Sequence, residues 1–210
     1  MSQVKAVSGA TGSEFDKLTA KAKEMGATTK FTATQSAEAF NYMAMAGWDS
    51  QQMLDGIEGI LNLAAASGED LGTTSDIVTD ALTAFGLKAS DAAHFSDVLA
   101  QSAASANTNV SMMGESFKYV APIAGAMKYS VEDTSLALGL MANASVKGSM
   151  AGTSLKTALA NMAAPTDKMA TAMKKYGISL TDSNGNMKTL KGVLDNLRSS
   201  LGGLSETEKT

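Results

Sequence analysis

Tyr42-Met43-Ala44-Met45-Ala46-Gly47-Trp48-Asp49 ends one helix, turns, and starts the next. Small and apolar residues run to Ala46, and Gly47 supplies a helix stop. Trp48 is placed to pack back onto the helix it follows, and Asp49 is a fresh N-cap. Gln52, three residues on, completes a capping-box pair with Asp49. A fainter copy, Leu140-Met141-Ala142-Asn143-Ala144-Ser145-Val146-Lys147, follows at an offset of 98 residues. That offset also pairs Phe31-Thr32 with Tyr129-Ser130 and Ala39-Phe40 with Ala137-Leu138. Two Ala-rich hairpins can align this well by chance, so the offset alone does not establish duplication.

Working outward, helices follow from cap, periodic face and stop. Ser13 is expected to cap a helix that stops at Gly26, and Thr34 or Thr32 the one that reaches Gly47. Met53, Ile57, Ile60, Leu61 and Ala64 form the apolar face of the helix after Asp49, which Gly68 ends. Asp70 opens another, with Val78, Ala81, Leu82 and Phe85 before Gly86, and Ser90 caps one carrying Phe95, Val98 and Leu99. Ser111 starts a helix that Pro122 should kink or break, since proline cannot donate its backbone hydrogen bond. Ser130 caps a helix through Leu136 and Leu140 that is apolar nearly all round and therefore belongs at the centre of the fold. Ser149 or its neighbours open a helix stopped by Pro165, and a short basic helix runs from Thr166 to Tyr176. Ile178-Ser179-Leu180 alternates before the turn residues Asp182-Ser183-Asn184-Gly185-Asn186, which predicts a small β-hairpin near 178–188. A last helix carries Leu190, Val193, Leu194, Leu197 and Leu201. The expected fold is all-α: a multi-helix bundle of about ten short helices with one small β-hairpin, in which duplicated hairpins and a division into sub-units 12–110 and 111–204 are possible.

The 210 residues suffice for one large or two small domains. Aromatics are scarce at 5%, so the core must be built from Ala, Leu and the 14 Met. Zero Cys excludes disulfides and thiolate metal sites. No run approaches the ~18 apolar residues of a membrane span, and no signal peptide opens the chain, so it is expected to be soluble. Residues 31–110 hold ten acidic side chains against the single Lys88, whereas 166–198 hold six basic ones against three Asp. The acidic stretch should repel a phosphate backbone, and specific nucleic-acid binding is not expected. Both parts read first as solvated helix faces, with a head-to-tail contact between the acidic and basic parts as the lesser alternative.

Catalytic chemistry is hard to assemble. His94 is the only histidine, and without Cys the usual zinc sets cannot form. Asp182 begins like a calcium loop, but Met187 stands where that loop needs Gly and Val193 where it needs a bidentate acid. Paired acids such as Glu69-Asp70 and Glu132-Asp133 suit helix starts, where the dipole favours negative charge. No phosphate-binding loop is present. No catalytic, cofactor-binding or metal residues are therefore expected. Gly148 and Gly152 have the small-xxx-small spacing that lets helices approach closely. With Gly47 and Trp48 they are the candidate packing or self-association residues.

With those phrases in view, the chain resembles the conserved core region of bacteriophage tail tape measure proteins, the phage minor tail protein family. Val4–Gly12, Ala22–Ala33, Met45–Asp49, Asn62–Leu71 and Thr83–Leu87 carry the resemblance in the first half. Ala106–Val110, Tyr119–Ala126, Lys147–Leu155 and Gly185–Lys188 carry it in the second. One departure is Ser145, where the family more often has Gly. The resemblance implies a structural component of phage tail assembly that sets tail length, scaffolds the tail tube and aids genome ejection. It implies self-association, contact with tail tube and tail assembly proteins, and residence in the virion tail after assembly in the bacterial cytoplasm. An alternative is a membrane-active helical module that contacts the host envelope during DNA ejection; a third reading is a lytic enzyme fragment. Ser205 and Glu208 form a capping-box pair with only two residues beyond, so the 210 residues read as a fragment of a longer polypeptide, with 205–210 the truncated start of a further helix.

Overall fold

A computed structural model describes residues 1–205, in which eleven α-helices follow one another with no sheet among the described residues. They are α1 (Ser2–Ser8), α2 (Gly12–Thr28), α3 (Ala33–Met45), α4 (Ser50–Ser67), α5 (Leu71–Phe85) and α6 (Ala92–Ser105). Then come α7 (Val110–Ala126), α8 (Val131–Asn143), α9 (Gly148–Ala163), α10 (Asp167–Tyr176) and α11 (Leu190–Leu201). The fold is thus an all-α helical bundle. The truncated helix expected over 205–210 falls on 206–210 and lies outside the described residues.

Polar side chains set most of the helix starts. Thr32 accepts a hydrogen bond from the Gln35 backbone N–H at 3.2 Å while Gln35 Oε1 accepts from the Thr32 N–H at 2.9 Å. Asp49 and Gln52 exchange the same pair of bonds, both at 2.9 Å. Asp70, Ser130, Thr166 and Thr189 each take one N–H of the first turn. Each satisfies a donor that has no partner within the helix.

Several starts and stops differ from expectation. α2 begins at Gly12 after the extended Thr11, so Ser13 lies inside its first turn and is not the cap. It also runs through Gly26 to Thr28, because Gly26 holds helical geometry and leaves room for the backbone of Ala33. Ser90 sits within a 3-10 turn, Ala89–Asp91, in which the Asp91 carboxylate accepts from the Lys88 N–H at 2.9 Å; α6 starts after it. Asn109 rather than Ser111 caps α7, accepting from the Met112 N–H at 2.8 Å. Pro122 does not break α7. Both Pro122 and Lys118, whose carbonyl loses its helical partner to the proline ring, are solvent-exposed, so water can satisfy that carbonyl. The expected hairpin is reduced to one antiparallel bridge, Thr181 with Met187, closed by Gly185 at φ +83°.

One continuous core runs through the bundle. α4 and α7 form its axis: Met53, Ile57, Ile60 and Leu61 of α4, and Phe117, Val120 and Ala124 of α7, are essentially inaccessible. α2, α3, α5 and α6 surround α4, while α5 and α9 flank α7, and α7 with α9 is the most extensive helix pair. α8 is not central. It packs on α6 and α11, and less extensively on α7 and α9, but leaves Leu136 42% and Leu140 54% exposed, because no helix covers that side. Apolar residues on every face thus placed α8 in a covered position that the helix count could not supply.

The 98-residue spacing recurs in the helix boundaries. α2 and α7 have the same length and both bounds shifted by 98, as do α3 and α8. α4 and α9 begin 98 apart, and so do α6 and α11.

Candidate functional site

The turn at Gly47 is built from backbone geometry. Gly47 takes φ +88°, its N–H donates to the Ala44 carbonyl at 3.0 Å, and the Trp48 N–H donates to the Met43 carbonyl at 3.1 Å. This six-to-one closure brings Trp48 back over the helices, where it is 8% exposed and its ring lies on Gly56 of α4. The copy reproduces the bonds: Ser145 donates to Ala142 at 3.0 Å and Val146 to Met141 at 2.9 Å. Ser145 adopts φ +68° there, a left-handed conformation in a residue with a side chain.

Gly148 and Gly152 face α7. The Gly148 carbonyl accepts from the Ser116 hydroxyl at 2.8 Å, and a Cβ on Gly152 would collide with the Ser116 backbone carbonyl. Trp48 and Gly152 therefore spend their surface on intramolecular packing, while Gly47 is exposed. The four do not converge: Gly47 and Trp48 belong to the α3–α4 turn, Gly148 and Gly152 to the α7–α9 contact.

An apolar groove of about 600 Å³ lies between α6 and α8. Leu136, Leu140 and Gly139 of α8 face Val98 and Ser102 of α6 across it, with Ala106 at one end. The Ser135 hydroxyl, buried in its wall, has no hydrogen-bond partner. Asp97, Glu132 and His94 stand on the rim, with His94 Nε2 and Glu132 Oε1 in contact across the groove. Glu132 lies in the first turn of α8, where its own backbone N–H, and then His94, hold its carboxyl below the usual range. Asp133 beside it accepts the Leu190 N–H at 2.9 Å, which ties the start of α11 to α8. The groove thus combines a His–Glu contact on its rim with an apolar floor, and no metal-competent cluster of acids and histidine occurs among the described residues.

Sequence reasoning missed this groove by assigning Leu136 and Leu140 to the core. The signal was present in the 98-residue offset, which pairs Leu136 with Glu38 and Leu140 with Tyr42, both exposed in α3. The remaining acid singled out, Asp182, organises its turn: Oδ1 accepts from the Asn184 and Asn186 N–H groups, both at 2.9 Å, which lowers its pKa.

Residues 19–210 match the phage-related minor tail protein family. The chain is 41% identical over 209 residues to a tape measure protein of Pneumococcus phage Dp-1, covering 100% of the chain and 18% of that relative. It is 29% identical over 201 residues to a probable tape measure protein of Escherichia phage P2, covering 95% of the chain and 25% of that relative. No solved structure matches it. The chain thus corresponds to about a quarter or less of the length of these two relatives.

Proposed function

The chain belongs to the phage-related minor tail protein family, and from that premise we propose that it is a structural segment of a tail tape measure protein with no enzymatic activity. The likeness to a tape measure protein along its whole length carries this reading. The full-length protein would act in the virion tail, setting tail length, scaffolding the tail tube and aiding genome ejection. Its partners would be copies of itself and the tail tube and assembly proteins. The spacing of the helix boundaries supports two sub-units, 12–110 and 111–204, joined through one core.

The membrane-active alternative draws on exposed apolar side chains such as Met45, Leu140 and Met150. No helix among the described residues is long and apolar enough to cross a membrane. Release of a dye from lipid vesicles at low protein concentration would favour that alternative. The direct test of the main reading is an in-frame deletion of this region from the phage gene, with virions imaged by electron microscopy. Absent or shortened tails are expected. Tails of normal length and number would overturn it.

A further inference from the structure

We propose that the α6–α8 groove is a binding site for a linear primary alkylammonium, a single apolar chain that ends in one cation. This goes beyond the structural role proposed above and does not depend on it.

The groove has two closed ends. His94 meets Glu132 at one, and at the other the Asn143 side chain accepts from the Asn107 N–H at 2.8 Å. α6 and α8 therefore run the same way along its walls. From Glu132 to Asn143 the trough is roughly 16 Å long, at about 1.5 Å per helical residue. Its volume of about 600 Å³ suits a small molecule. A trough closed at both ends takes one dispersed chain and not the edge of a bilayer.

The floor is apolar for most of that length. Val98 of α6 and Leu136, Gly139 and Leu140 of α8 line it, and the two leucines remain 42% and 54% exposed. An alkyl chain laid over them removes that surface from water, which is the driving force for binding.

Two polar groups stand near the His94–Glu132 end. Ser135 follows Glu132 by one helical turn and Asp97 follows His94 by one, so they lie level with each other on opposite walls. Ser135 is 1% exposed, and its hydroxyl has no hydrogen-bond partner. A buried hydroxyl left unpaired costs stability, so a ligand donor that reaches it relieves that cost. Asp97 forms no ion pair with any described residue, whereas Glu132 is already matched by His94. The head that fits carries N–H donors for the Ser135 oxygen and a positive charge for Asp97, and an ammonium has both. A carboxylate head would meet Asp97 with like charge. Ala106 and Asn143 at the far end are uncharged, so a second cation has no counterpart there.

Isothermal titration calorimetry of the chain with n-octylammonium chloride, 1-octanol and sodium octanoate, at neutral pH and below micelle formation, tests the assignment. Octylammonium should bind once per chain, 1-octanol more weakly and octanoate not measurably. Asp97→Asn should weaken octylammonium roughly three-fold, the modest effect of an exposed ion pair, and leave 1-octanol unchanged. Ser135→Ala should weaken both roughly five-fold through the loss of one hydrogen bond. Leu140→Trp, which fills the trough, should abolish binding of both. Asp97 and Leu140 are exposed, so these two variants should keep the wild-type circular dichroism spectrum. Absence of saturable octylammonium binding would overturn the proposal. So would binding that survives Leu140→Trp, or octanoate bound as tightly as octylammonium. Sedimentation velocity run alongside identifies the rival occupant. Self-association that Leu140→Trp removes and octylammonium does not displace would give the groove to a second copy and overturn the proposal.

Discussion

Gly152 of α9 lies directly against the backbone carbonyl of Ser116 in α7, with no space between them for a Cβ. At the 98-residue offset α4 carries Leu54, and α4 does not approach α2 as closely as α9 approaches α7. Gly152 against Leu54 is one difference that accompanies the closer approach of α9 to α7.

Gly152→Ala should destabilise the protein by about 1–3 kcal/mol through overpacking, against a helix-propensity gain of about 1 kcal/mol. Gly139→Ala on α8 is the matched control. Its Cβ would meet only the Ala106 methyl, at an ordinary 3.4 Å, so the propensity gain should appear as neutral or increased stability. Urea unfolding of the two variants checks the opposite signs. Equal effects would show that helix closeness at Ser116 is not what requires glycine.

Ser145→Gly should stabilise by about 1 kcal/mol, because Ser145 holds φ +68° at a cost that glycine escapes. Gly47→Ser, the reciprocal change at φ +88°, should destabilise by a similar amount. Thermal melts of both variants read the exchange. A loss of stability in Ser145→Gly would mean that the serine side chain makes a compensating contact.

Asp70 caps α5 through the backbone N–H of Thr73 at 2.9 Å and its hydroxyl at 2.6 Å. The hydroxyl bond first, then the backbone one, hold its carboxyl below the ordinary value. A folded pKa lower than the unfolded one means that the unfolded chain binds more protons between the two. The contribution is then present above the ordinary value of ~3.9 and lost as pH falls through the folded value. Asp70→Ala should cost about 1 kcal/mol at neutral pH. Denaturant midpoints measured down to strongly acidic pH should show this difference shrinking. A pH-independent difference would assign the cap to geometry rather than charge.

Some caps with side-chain chemistry were legible: Asp49, Asp70 and Ser130 sit where spacing and residue type placed them, and Thr32 resolves the choice between Thr34 and Thr32, whereas Asn109 was passed over for Ser111. Starts set by backbone geometry were not legible at Gly12 and Ala92, because no side-chain cap marks them. Pro122 misled because its penalty depends on whether the orphaned carbonyl faces water, which is a tertiary property. The groove was illegible for a related reason. Leu136 and Leu140 read as core by composition; their offset partners Glu38 and Tyr42 were a hint to the contrary, but it is the arrangement of neighbouring helices that leaves them exposed.

Phe117 of α7 touches Phe85 of α5 and Phe95 of α6 edge-on, with both pairs of ring centres 5.7 Å apart. These contacts cross the boundary between 12–110 and 111–204, and Phe117 is 1% exposed. Sub-units stitched by such a core should not unfold separately, even if they arose by duplication. Trp48 is the only tryptophan and lies in the first of them, so its fluorescence reports that half while circular dichroism reports both. In the wild-type protein the two probes should give one coincident transition, the signature of two-state unfolding. Phe117→Ala should cost about 3–5 kcal/mol by opening a cavity at the junction. It should also draw the two transitions apart, with fluorescence retaining the higher midpoint, because α4 keeps its packing on α2, α3, α5 and α6. Transitions already separate in the wild type would mean that the junction is a weak contact between independent halves. Coincident but lowered transitions in the variant would mean that α5–α7 and α6–α8 packing couples the halves without Phe117.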